Sequence, residues 1–288
     1  MDLNNDGHRD ILSGSYSRMQ GSMAGLFQVL WGEAGGKFKE ATVLNGTDKE
    51  PLIIPIKSKS EQIENICTRP TTVDWNGDGK LDLVVGTFAG SFYVFTGEGN
   101  GKFTPKPEPL MTGKKRLKIK GHHGDPFIVD WDGDGDLDLL SGSSEGGVQW
   151  AENTGAPGKT PVLKEFETVI KPGRTFETGQ LVSEQELTEP ASSTRVWVDD
   201  VNGDGKLDIL VGDDVTLVSM AKGLSEKEFG RKLEEWKKAY SAASKAMSEA
   251  NAGRPEEAAR KRFNEIYQKR TEFMDEDPTG YVWLYRRK

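Results

Sequence analysis

The sequence predicts an all-β fold: a β-propeller of four-stranded blades with an inserted α-helical hairpin. Three observations predict it. A nine-residue acidic pattern, D-x-[DN]-x-D-G-x-x-D, occurs four times, starting at Asp2, Asp74, Asp130 and Asp200. Each copy runs into a short apolar stretch and then a glycine. Residues 225–277 lose this pattern and become rich in Ala, Glu and Lys. Units that recur at such spacings cannot each bury an apolar face alone, so they stack on their neighbours as blades do.

Taken in chain order, the acidic loops lead into 11–14, 83–86, 139–142 and 209–212. The last three loops are preceded by β-rich runs at 71–73, 127–129 and 196–198. Short apolar runs bounded by turn residues read as strands. Further strands are expected at 25–31, 91–95, 147–150 and 281–285, the first two running through glycine turns into 36–38 and 101–103. The 34 glycines suit a fold with many tight turns.

In 225–277, Ser225 and Glu228 have the spacing of a capping box. Phe229, Leu233, Trp236, Tyr240, Ala243 and Met247 then recur every three or four residues, which gives a helix one apolar face. Asn251-Ala252-Gly253 suits a helix end and Pro255 the next start. Ala259, Phe263, Ile266 and Phe273 form a second stripe, and the two stripes are expected to pack together. The domain reading is therefore blades over 1–224 and 278–288, with a helical hairpin over 225–277 inserted in the last blade.

The acidic loops have the chemistry of a Ca²⁺ site. Calcium takes six to eight oxygens at about 2.3–2.6 Å. Side chains at positions 1, 3, 5 and 9 supply them: Asp2, Asn4, Asp6 and Asp10; Asp74, Asn76, Asp78 and Asp82; Asp130, Asp132, Asp134 and Asp138; Asp200, Asn202, Asp204 and Asp208. Position 7, occupied by His8, Lys80, Asp136 or Lys206, adds a backbone carbonyl. Glycine at position 6 permits the sharp turn. An EF-hand would need a bidentate Glu at position 12, where this chain has Ser13, Val85, Ser141 and Val211. Without a cation these carboxylates repel one another. Four structural Ca²⁺ ions would cancel the formal net charge of −8.

These loops, with their apolar strand and glycine, resemble the FG-GAP/VCBS repeat. That repeat builds the propeller of integrin α subunits and of many secreted bacterial proteins. The fourth unit with its helical segment looks most like uncharacterised bacterial FG-GAP proteins. The resemblance implies a propeller with calcium in the hairpin loops of one face. This chain departs from it in showing only four units, the first without a leading strand. An unclosed ring exposes strand edges that invite pairing. Three arrangements stay open: part of a larger ring, a small ring of four or five blades, or a ring completed by another chain.

Counting back five residues from each loop gives Arg69, Asp125 and Arg195, with His123 close by. These are candidates for a ligand site at the channel mouth opposite the calcium loops, where Arg suits carboxylates and sulfates. A structural salt-bridge network is the other reading of the same residues. The only cysteine, Cys67, reads as a small buried hydrophobe. His122 and His123 lack the further ligands that zinc needs.

The function expected is a calcium-stabilised binding or scaffold module, extracellular or periplasmic, taking a protein or carbohydrate ligand. The alternative is a polysaccharide lyase or hydrolase acting on acidic sugars, with His123 as base beside Arg69 and Arg195. The acidic net charge argues against nucleic acid. No apolar run reaches the length of a transmembrane helix. The chain opens inside its first acidic loop, so upstream sequence, a secretory leader included, is expected.

Overall fold

Four antiparallel sheets carry the four repeats in a computed structural model that describes residues 1–15, 25–57, 59–249 and 257–288. The first holds β1 (Ile11–Ser13), β2 (Gln28–Leu30) and β3 (Thr42–Val43). The second holds β4 (Arg69–Val73), β5 (Asp82–Gly86), β6 (Phe92–Phe95) and β7 (Glu108–Pro109). A small hairpin follows, β8 (Met111–Thr112) and β9 (Lys115–Arg116). The third sheet holds β10 (Asp125–Val129), β11 (Asp138–Gly142), β12 (Val148–Ala151) and β13 (Glu167–Ile170). The fourth holds β14 (Ser192–Asp199), β15 (Asp208–Met220), β16 (Met274–Thr279) and β17 (Val282–Tyr285).

The second and third sheets are up-and-down meanders in sequence order. Their registers place Val73 opposite Asp82 and Val129 opposite Asp138. In these two sheets the acidic loop is thus the turn of a hairpin that joins the first strand to the second. The fourth sheet departs from this plan. Both β16 and β17 pair with β15, at 215–220 and 209–212 respectively. A strand of 13 residues has room for two partners end to end.

Packing explains why the second strands read as continuous apolar runs. All five residues of β5 and of β11 are buried. Alternate side chains of a strand point to opposite faces, and both faces here are covered. Leu83 and Val85 join Phe27, Val29 and Leu44 of the first repeat. Val84 points the other way, into a cluster with Leu139 and Ala151 of the third. Leu140 in turn packs with Val196, Val198, Ile209 and Val211 of the fourth. Each buried Leu or Val contributes roughly 1.5–3 kcal/mol, so the core is a relay from sheet to sheet.

By contact density the chain divides into two compact units: residues 1–173, 189–213 and 281–288, and residues 174–188 and 214–280. The second contains α1 (Glu226–Glu249) and α2 (Glu257–Gln268). Ser225 and Glu228 form the capping box, with the Glu228 amide donating to Ser225 Oγ at 3.3 Å and the Ser225 amide to Glu228 Oε2 at 3.1 Å. Trp236 meets Phe273 at 6.3 Å between ring centroids, and Tyr240 meets Phe263 at 5.4 Å, so the helices run antiparallel. The stripes also cover Val218 and Met220 of β15. The expected helix end at 251–253 and start at Pro255 lie outside the described residues. No described helix is long and apolar enough to cross a membrane.

Candidate metal centre

Each acidic loop winds its own backbone amides around its side chains. Asp, Asn and Ser side chains accept from amides a few residues on, which is the basis of Asx turns. In the second loop, Asp74 Oδ1 accepts from the Asp78 amide (3.0 Å) and Oδ2 from Gly79 (2.9 Å). Asn76 Oδ1 also accepts from Asp78 (2.9 Å), and Asp78 Oδ1 from Lys80 (3.0 Å). The first loop repeats the scheme through Asp2, Asn4 and Asp6, the last accepting from His8 at 2.9 Å. The fourth repeats it through Asp200, Asn202 and Asp204, the last accepting from Lys206 at 2.9 Å. The His8 and Lys206 amides are the main reason that Asp6 and Asp204 lie below the usual aspartate range. Gly79 and Gly135 make the turn with φ of 82° and 95°, where a side chain would be strained.

Position 9 has a second job that the residue spacing did not reveal. Asp82 Oδ2 accepts from the Trp75 amide (3.0 Å) while Oδ1 accepts from Gly97 (2.6 Å), beyond the next strand. Asp138 does the same with Trp131 (3.0 Å) and Asn153 (2.7 Å), and Asp10 with Leu3 and Gly32 (both 2.7 Å). This residue therefore clamps the loop to the outgoing chain. Burial raises Asp82 and Asp138 above the usual range even though these amides pull them down. Asp208 keeps one clamp, from the Arg287 amide at 3.0 Å, and its Oδ2 is buried without a partner.

The third loop is the most acidic. Its Asp130, Asp132 and Asp138 each bring one carboxylate oxygen within 4.8 Å of the others, a separation that one bound cation can span. Asp136 at position 7 adds a side chain only 3% exposed whose Oδ1 has no partner. Burial, then the neighbouring aspartates, push it up to about 6. Carboxylate oxygens carry spare lone pairs even when they accept a hydrogen bond. Clustered oxygens and orphaned buried ones fit a hard divalent cation, which the residues at positions 1, 3, 5 and 9 would hold.

The four basic and acidic residues opposite the loops also meet. Arg195 Nη1 lies 2.6 Å from Asp125 Oδ1, and Arg69 Nη1 donates to the His123 carbonyl at 2.7 Å. Burial and the nearby Arg195 lower the Arg69 guanidinium to about 10. His123 sits in the left-handed region at φ 62°, its ring 4.6 Å from Phe88. Burial and Arg69 lower its pKa, and its Nδ1 is buried without a partner. Burial likewise raises the Cys67 thiol. Trp197, 59% exposed, packs on Phe127 at 5.3 Å, two residues along from Arg195 and Asp125. Trp197 and Phe127 were not singled out in the sequence; the period-two alternation of strands, which puts them on the same faces as Arg195 and Asp125, is the signal that could have found them.

Sequence reasoning missed Glu64. This residue is buried, accepts from Ser91 Oγ, and lies 3.1 Å from Lys118 Nζ and 3.5 Å from Arg116 Nη1. Nothing in the pattern around it marks it out, because its partners lie far along the chain.

A family model described as an FG-GAP-like repeat matches residues 74–141 and again 130–211. No curated protein matches the chain.

Proposed function

We propose, since this chain is an FG-GAP repeat protein, that it is a calcium-pinned β-propeller serving as a non-enzymatic extracellular binding or scaffold module. The observation that carries the reading is the convergence of Asp130, Asp132 and Asp138 oxygens within 4.8 Å in a loop that holds two further carboxylates. Unscreened carboxylates at that separation repel strongly, and a divalent cation turns the repulsion into a cross-link. Calcium would supply charge neutralisation and hold the hairpin shut. The protein's own residues set the loop: the position-6 glycine turns it, and the position-9 aspartate ties it to the strand beyond. Extracellular calcium is near millimolar, enough for sites of modest affinity. The four sheets, linked by shared cores, would be blades.

In this reading Arg69, His123, Asp125 and Arg195 brace the starts of neighbouring strands. Each arginine is already engaged, Arg195 by Asp125 and Arg69 by the His123 carbonyl.

Thermal unfolding in calcium and in chelator tests the reading. A site saturated a hundred-fold stabilises by about 2.7 kcal/mol, which moves Tm by about 5–10 °C in a domain of this size. The expected result is a rise of at least that amount with calcium, much smaller with magnesium. Equal Tm in calcium and chelator would overturn it.

A further inference from the structure

Residues 114–120 hold five cations in seven positions, in a chain of net charge −8. The stretch extends from β9. Leu117 and Ile119 are buried, 1% and 6% exposed, in the core between the second and third repeats. Arg116, Lys118 and Lys120 alternate with them and are exposed, so they line up on one side about 6.6 Å apart. With Lys115, Gln149 and Phe166 they border a pocket of about 260 Å³.

The pocket is held in shape. Gln149, 6% exposed, accepts from the Lys120 amide at 2.8 Å and donates to the Lys120 carbonyl at 3.1 Å. The backbone of Lys118 is bridged to Ser91. The buried Glu64 engages both Arg116 and Lys118. Lys115 faces Glu165 at 3.7 Å, but both are largely exposed, so that pair is weak. Four cations against two carboxylates leave an excess of two positive charges.

We propose that this pocket binds one anionic sugar ring, a uronate or sulfated pyranose of an acidic polysaccharide. The cations meet the carboxylate or sulfate. The Phe166 ring, partly exposed and seated 5.5 Å from Phe92, offers an apolar wall to the C–H face of a pyranose. The volume lies below that of drug-sized ligands and suits a single ring. A long nucleic acid backbone would have to pass the rest of an acidic surface. The inference supplies a ligand for the binding module proposed above and does not depend on the calcium loops.

The test is calorimetric titration of the full chain, in calcium, with a chondroitin sulfate hexasaccharide, which carries both uronate and sulfate. Thermal unfolding of every variant in parallel establishes folding and reads the calcium reading separately. Lys115→Gln with Lys120→Gln is expected to weaken binding about ten-fold or more. Phe166→Leu is expected to weaken the hexasaccharide while leaving inorganic sulfate unchanged. A neutral hexasaccharide is expected not to bind. No binding by the wild type, or undiminished affinity in the double variant, overturns the proposal. So does an oligothymidylate or polyglutamate that binds as tightly and depends on the same lysines.

Discussion

Gly142 and Gly212 end the same motif in the third and fourth repeats, and their surroundings differ. A Cβ added to Gly142 would lie 2.1 Å from the Thr194 carbonyl oxygen. At Gly86 it would lie 2.2 Å from the Gly124 carbonyl, and at Gly14 it would meet that of Thr68. Those contacts sit one residue before Arg195, Asp125 and Arg69, so each glycine presses on the start of the next repeat's first strand. At Gly212 an added Cβ meets nothing within 4 Å among the described residues. The loops diverge in parallel: Asp138 satisfies both its oxygens with backbone amides, whereas Asp208 leaves one buried and bare. One sequence signal therefore serves two situations: a glycine with another repeat's backbone against it, and a glycine that meets nothing within 4 Å among the described residues.

Substitution should break this symmetry. Gly142→Ala forces backbone apart and is expected to destabilise by about 3 kcal/mol, lowering Tm by about 8 °C. Gly212→Ala is expected to be neutral or to stabilise by up to about 0.5–1 kcal/mol, because alanine loses less entropy in a strand. Urea unfolding of the two variants decides it, and equal losses would mean that both glycines are packed alike.

The aspartates sharpen the comparison at smaller amplitude. Asp138→Asn sets an amide donor against a backbone amide and is expected to lose about 2 kcal/mol in chelator, and more in calcium, where a ligand carboxylate is lost as well. Asp208→Asn keeps its oxygen for Arg287 and is expected to lose under about 0.5 kcal/mol in chelator, but clearly more in calcium. Losses at Asp208 that are the same in both buffers would mean that its bare oxygen holds no ion.

The smallest effect is a pH slope. His123 has its pKa lowered from 6.5 by burial and by Arg69. The unfolded chain therefore takes up the proton first, so stability is present above about pH 6.5 and is lost as pH falls through the lowered value. His123→Gln should flatten the denaturant midpoint between pH 7 and pH 5, and an unchanged slope would place the titration elsewhere.

Much of this was legible because it is local. The nine-residue loops carry their own turn chemistry, so Asp74, Asn76, Asp78 and Gly79 could be read as one device without knowing any neighbour. The capping box at Ser225 and Glu228 and the helical stripes are equally short in range. The position-9 clamp was hidden, since its partners Gly97 and Asn153 lie 15 residues on and show only when the next strand returns. Glu64 was hidden for the same reason, with Ser91 and Lys118 that are 27 and 54 residues away.

The sequence by itself determined the four acidic turns, three of them set between paired strands, and the helical stretch, because spacing and residue type decide which amides a short side chain can reach. Only the tertiary structure decided why Gly142 must be glycine while Gly212 need not be, and which carboxylate is left without a partner. It also decided that the cations of 115–120 gather around a pocket. Those outcomes depend on which distant backbone comes to rest against each residue, and no local pattern encodes that.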